Sequence, residues 1–142
     1  MKYLAIDYGI KRVGIAVSDM DGAFVFPRCT LKRETKAAFF TDLLQLIEQE
    51  QAEALVVGLP LHTDGKECLT TVQVRHFVES LKRRTPLPIY WMNEALSSSA
   101  AEHELFDFGM KFREVKKIVD QQAAVLILES FLNLAEERRV QA

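Results

Sequence analysis

Three carboxylates in this chain stand where chemistry could be done. Asp7 closes the run KYLAIDY (2–8), and both faces of that run are largely apolar. A carboxylate at the end of a strand covered on both sides is costly to bury alone, so it calls for a hydrogen-bond partner or a cation. Glu94 directly follows the apolar run IYWM (89–92) and the intervening Asn93. Asp120 shares a helical face with Ala123, Ala124, Ile127, Leu128 and Phe131, so the core-facing side of that helix begins with an acid. Taken alone, Asp120 is equally well read as a boundary acid reaching solvent. The two strand-end acids tip the balance. Clustered carboxylates repel one another unless cations lie between them. Oxygen donors without His or Cys suit Mg²⁺ or Mn²⁺. Two such ions about 3.5–4 Å apart can activate a water and stabilise the leaving oxygen of a phosphodiester. Asp7, Glu94 and Asp120 are therefore the expected catalytic and metal-ligating residues.

Bases that could hold a phosphate backbone lie close by in sequence. KFREVKK (111–117) contributes Lys111, Arg113, Lys116 and Lys117 just before Asp120. Lys11 and Arg12 follow the turn at Gly9, where solvated turn residues are an equally good reading. Gly58 and Pro60 end an apolar strand (ALVVGL, 54–59) and could line the same groove, or simply stop the strand. His62, in a loop with no acid beside it to orient it, is expected at the surface, and Trp91 in the core. Ser97, Ser98 and Ser99 read as a helix cap, since a serine nucleophile needs a base and none is visible.

The elements that would carry these residues can be read in order. Residues 2–8 and 13–18 form a hairpin, and 22–31 a third strand. Pro27 cannot donate to a ladder, which puts that strand at an edge or gives it a bulge. Residues 34–51 are helical, with Phe39, Leu43, Leu46 and Ile47 as an apolar stripe. Strand 54–59 is followed by a turn at Asp64-Gly65 and a helix over 68–83, with Val72, Phe77, Val78 and Leu81 inward. Strand 89–92 precedes a helix over 97–108, ended by Gly109, and a last helix over 114–137. The order βββ-α-β-α-β-α-α predicts an α/β fold: one mixed five-stranded sheet, its later strands parallel, with helices on both faces. Parallel strands open their carboxyl ends into a ligand crevice, and both Asp7 and Glu94 would lie there.

Composition sets the outer bounds. The chain has 142 residues, 49% apolar and 27% charged, as expected for a single globular domain over 1–142. No apolar run is long enough to cross a bilayer, and the start carries no signal-peptide pattern, so a cytoplasmic location and no membrane partner are expected. A net charge of −2 gives no global basic field, which leaves local clusters to bind any nucleic acid. Cys29 and Cys68 lack metal or disulfide spacing and read as structural thiols. No dimerisation element is evident, so a monomer or weak dimer is expected.

Four stretches together resemble the YqgF/RuvX family of the ribonuclease H-like superfamily. IDYGIKRVGIAVSD (6–19) is similar to its opening motif and VVGLPLHTDG (56–65) to its second. NEALSSSAAEHEL (93–105) stands where the family carries an Asp-Glu-Arg-Leu-Thr-type segment, and VDQQAAVLILESFL (119–132) resembles its Asp-x-x-Ala-Ala helix. The resemblance implies a ribonuclease H-like sheet and a divalent-metal-dependent endonuclease that helps process the 5′ end of the pre-16S ribosomal RNA in ribosome biogenesis. It also implies kinship with Holliday-junction resolvases, so structured RNA or branched DNA are the implied partners. One departure stands out. Asn93-Glu94-Ala95 replaces acid-acid-arginine, removing one charge and a phosphate-binding group. A non-catalytic assembly factor on the same fold is the reading this departure favours. The Asp7-x-Gly9 turn also resembles the start of actin-like ATPases, but those need two such domains and a longer chain.

Overall fold

The computed structural model describes residues 1–62, 64–94 and 112–142, the side chains of 112–119 excepted. The strands are β1 (Tyr3–Tyr8), β2 (Arg12–Ser18), β3 (Val25–Lys32), β4 (Ala54–Pro60), β5 (Ile89–Glu94) and β6 (Val140–Gln141). The helices are α1 (Lys36–Glu50), α2 (Leu69–Lys82) and α3 (Phe112–Leu132). The strands form one sheet in the order β3-β2-β1-β4-β5-β6. The fold expected from sequence is present, with six strands in place of five. The extra strand is a two-residue piece after α3, which stops at Leu132 instead of continuing to 137. Asn133 exposes the chain to solvent there, and a 3₁₀ turn at Glu136–Arg138 redirects it to the free edge of β5. The expected helix over 97–108 lies outside the described residues.

Topology follows from the connections. β1 and β2 pair antiparallel through a tight turn in which the Gly9 amide donates to the Arg12 carbonyl at 3.0 Å. A Cβ on Gly9 would stand 2.4 Å from that same carbonyl, so the turn admits only glycine. β3 is an edge strand, and its register against β2 shifts between Ile15 and Ala16, opposite Cys29 and Pro27. The expected proline bulge is therefore seen. β4 runs parallel to β1, and β5 to β4, each reached through a helical crossover. All three strands thus end at one edge of the sheet.

The two faces of the sheet are covered by different helices. Leu4, Ile6, Leu55 and Val57 pack with Phe39, Leu43, Val74, Phe77 and Leu81 of α1 and α2. Ala5, Ala16 and Val56 pack with Ala124, Ile127, Leu128 and Phe131 of α3. Small residues on the second face let α3 lie close to the strands. Thr35 caps α1, its hydroxyl accepting from the Ala38 amide at 3.1 Å. Within α2 the inward set is Val74, Phe77, Val78 and Leu81, while Val72 is 41% exposed, one helical step outside the stripe assigned to it.

Candidate active site

Side-chain alternation decides which residues can meet. On β1, Ala5 faces α3, so Asp7 does too. On β2, Ala16 faces α3, and Gly14 and Arg12 follow on the same side. On β5, Tyr90 and Met92 pack toward α3, which puts Glu94 there, whereas Trp91 packs on the α1/α2 side. Asn93 therefore belongs to the face away from Asp7, and it is exposed. The departure at position 93 does not fall on the face that carries the acids.

Asp7, Glu94 and Asp120 are brought together electrostatically. The Asp7 carboxyl is pushed up to about 8, first by burial, then by the charges of Glu94 and of Asp120. Register explains the proximity of the strand acids: Ile6 pairs with Val57 and Pro60 with Glu94, so Asp7 and Glu94 flank Gly58 across one strand. A Cβ on Gly58 would lie 2.8 Å from Glu94 Oε2 and 2.6 Å from Ile127 Cδ1. The missing side chain is what leaves room for the Glu94 carboxylate.

Asp120 comes from α3, seated by a residue that sequence reasoning passed over. Gly14 lies directly opposite Asp7, and a Cβ there would stand 1.8 Å from the Asp120 carbonyl oxygen. The helix backbone rests on the strand at that point. A glycine in the middle of a strand is the available signal for such a close approach. The Asp120 carboxylate accepts from Arg12 Nε at 3.0 Å, an ion pair between residues 108 positions apart. Arg12, expected to touch substrate, thus touches an acid of the site.

The other expected residues fall into two groups. Lys11 is exposed in the β1–β2 turn beside Arg12, and Gly9, Gly58 and Pro60 are at the same sheet edge. The Pro60 carbonyl accepts a hydrogen bond from the Thr71 hydroxyl, which fastens the end of β4 to α2. Lys111 lies outside the described residues. Arg113, Lys116 and Lys117 are on the first turns of α3, their side chains outside the described set. His62 is exposed, within a turn closed by the Gly65 amide donating to the His62 carbonyl at 2.8 Å. Trp91 is half-buried, with the Arg75 guanidinium 5.6 Å from its ring. Cys29 and Cys68 are free thiols. Among the described residues no helix is long and apolar enough to cross a membrane.

Whether these acids suit a metal ion can be judged from their chemistry and placement. The donor set is all carboxylate oxygen, the type hard divalent cations take. The raised proton affinity of Asp7 comes first from burial and then from the repulsion of Glu94 and Asp120, which a cation would relieve. Among the described residues no three His, Cys, Asp or Glu side chains already converge on one point. The set fits a hard cation in kind.

A sheet of three antiparallel strands continued by parallel ones, with helices on both faces, is the ribonuclease H-like fold. Thermus thermophilus RuvC, solved in complex with a Holliday junction substrate, aligns over 100% of this chain and 99% of its own with a TM-score of 0.61 and 15% identity. The fowlpox virus resolvase, solved with Holliday junction DNA, aligns over 94% of this chain and 100% of its own with a TM-score of 0.54 and 12% identity. The chain belongs to the family described as "RuvX: Holliday junction resolvase", whose profile matches residues 1–134. A relative from Nitratidesulfovibrio vulgaris (strain Miyazaki F) is 58% identical over 142 residues, covering all of both chains. One from Lawsonia intracellularis is 49% identical over 141 residues, 99% of each chain. Both carry the name "Putative pre-16S rRNA nuclease".

Proposed function

We propose that this protein is an endonuclease that hydrolyses phosphodiester bonds of nucleic acid, using Mg²⁺ or Mn²⁺ held by Asp7, Glu94 and Asp120. Its substrate on this reading is the precursor of 16S ribosomal RNA, cut at the 5′ end in the cytoplasm, and the whole chain 1–142 acts as one domain, a monomer or weak dimer. The observation that carries the reading is geometric: strand register sets Asp7 and Glu94 on the α3 face around Gly58, and α3 seats Asp120 against β2 at Gly14, opposite Asp7; burial and the charges of Glu94 and Asp120 push the Asp7 carboxyl up. A fold keeps such an unfavourable arrangement where function requires it. The names of relatives 49–58% identical over nearly the full chain supply the substrate class.

When bound, a pair of such ions supplies an activated water and positive charge for the leaving oxygen. The chain's own residues do the rest. Asp7, on a central strand, gives the site a rigid floor. Glu94 arrives from β5 through the gap at Gly58. Asp120 arrives on α3, whose height Gly14 sets. Lys11 and Arg12, at the β1–β2 turn, would meet backbone phosphate on this reading, and Lys111, Arg113, Lys116 and Lys117 are the further bases that the sequence before Asp120 offers. Asn93 lies on the face away from Asp7, which weighs against the non-catalytic reading.

The test is cleavage of a pre-16S RNA fragment by the purified protein with Mn²⁺ or Mg²⁺. Cutting is expected for the native chain and a loss of at least about a hundredfold for Asp7→Asn. Equal cutting by that variant removes the metal-site assignment. The likeness to RuvC favours a second substrate, branched DNA. Cutting of four-way DNA in preference to linear duplex, by a stable dimer, selects that alternative.

A further inference from the structure

We propose that Arg12 is a positioning residue that couples the two ligands of the site: it holds Asp120 until a substrate phosphate draws it away, so that phosphate backbone and divalent cation reinforce each other's binding. The inference rests on reading Asp7, Glu94 and Asp120 as cation ligands.

The geometry gives Arg12 a choice of partners. Its Nε is 3.0 Å from Asp120 Oδ2, with the two side chains 39% and 20% exposed. The guanidinium is therefore reachable from solvent while it is paired. Arg12 begins β2, immediately after the exposed turn residues Ile10 and Lys11, at the edge where substrate would arrive. The Asp120 backbone is pinned against β2 at Gly14, so a change of partner is a side-chain rotation and not a movement of the helix.

One carboxylate cannot serve a guanidinium and a divalent cation equally well, because the two positive charges repel at close range. A phosphate offers the guanidinium planar, two-pronged recognition, whereas the contact to Asp120 runs through Nε. Phosphate arrival thus releases Asp120 toward Asp7 and Glu94. Linkage makes the effect reciprocal: a cation that takes Asp120 frees Arg12 for phosphate. The consequence is a nuclease that completes its cation site on substrate.

Calorimetric titration of the full chain with Mn²⁺ alone tests the first half. Arg12→Gln is expected to bind Mn²⁺ roughly three- to fivefold more tightly than the native chain, the gain from losing a partly exposed ion pair, and Arg12→Lys to stay near native. Fluorescence anisotropy of a short labelled RNA, with Ca²⁺ as the ion, tests the second. Ca²⁺ is expected to strengthen RNA binding by the native chain and to give no gain with Arg12→Gln. An unchanged or weakened Mn²⁺ affinity in Arg12→Gln overturns the coupling, as does a full Ca²⁺ gain in that variant. Asp7→Asn separates the two levels. If it binds Mn²⁺ as the native chain does, the cation-ligand reading itself fails. If it loses Mn²⁺ while Arg12→Gln matches native, only the role of Arg12 is lost.

Discussion

Asp7 is stabilised as the neutral acid in the folded chain, and that has a thermodynamic signature. Its carboxyl is raised from an ordinary 3.8 to about 8 by burial, by Glu94 from β5 and by Asp120 from α3, with Arg12 of β2 bonded to Asp120. Between pH 4 and 8 the folded chain holds this proton and the unfolded chain does not. Stability from this group therefore falls as pH rises through that window. Asp7→Asn, neutral in both states, escapes the loss. Scanning calorimetry of metal-free protein should show the variant melting a few °C above the native chain at pH 8, with the gain shrinking toward pH 4. Equal melting at pH 8 means that Asp7 ionises without strain. Asp7 was legible in sequence because a lone acid on an apolar strand breaks a pattern. The bond between Arg12 and Asp120 was not, because nothing local links residues 108 apart.

At the scale of elements, two glycines decide how closely helix and strands approach. Gly14→Ala puts a methyl 1.8 Å from a backbone carbonyl, which cannot turn aside. Urea unfolding is expected to show a loss of about 3 kcal/mol or more, or no stable fold. Gly58→Ala meets only side-chain ends, Ile127 Cδ1 at 2.6 Å and Glu94 Oε2 at 2.8 Å, which can rotate. That variant should fold with a loss of about 1–2 kcal/mol, but with Glu94 displaced and cleavage sharply reduced. A Gly58→Ala enzyme that cuts normally would remove Glu94 from the site. The elements themselves were largely readable. Pro27 announced an edge strand with a bulge, and strand–helix alternation announced the parallel half. Gly14 was read as ordinary strand, since its demand comes from a helix more than a hundred residues later. Val72 was assigned to the core because a 3.6-residue stripe admits neighbours one step off, and only the docking angle of α2 excludes it.

At the scale of the molecule, the sheet has two free edges treated differently. β3 is blunted by its bulge at Pro27. β5 is covered by the segment after α3, whose first residues, to 137, sequence reading took as helix and whose strand at Val140–Gln141 it left unassigned, because a two-residue strand carries no periodicity. That segment ties three elements together. Val140 and Gln141 pair with Trp91 and Tyr90, and the Ala142 amide donates to the Ile89 carbonyl at 2.7 Å. The Arg139 guanidinium lies 4.8 Å from the Phe131 ring and donates to the Tyr3 hydroxyl at 3.3 Å, joining α3 to β1. The family profile ends at 134, so this clasp lies beyond the matched region. Deleting residues 135–142 removes a few edge hydrogen bonds and the cation–π contacts of Arg139 with Tyr3 and Phe131, together about 2–3 kcal/mol. It also uncovers backbone groups of β5, a template for pairing between chains. Urea unfolding should report the lower stability, and size-exclusion chromatography a concentration-dependent association. Amide exchange should quicken at Ile89–Trp91 while the central strands β1 and β4 stay protected. Uniform exchange across the sheet, or an unchanged urea midpoint, would mean that the terminal strand only rests on the edge and does not hold it.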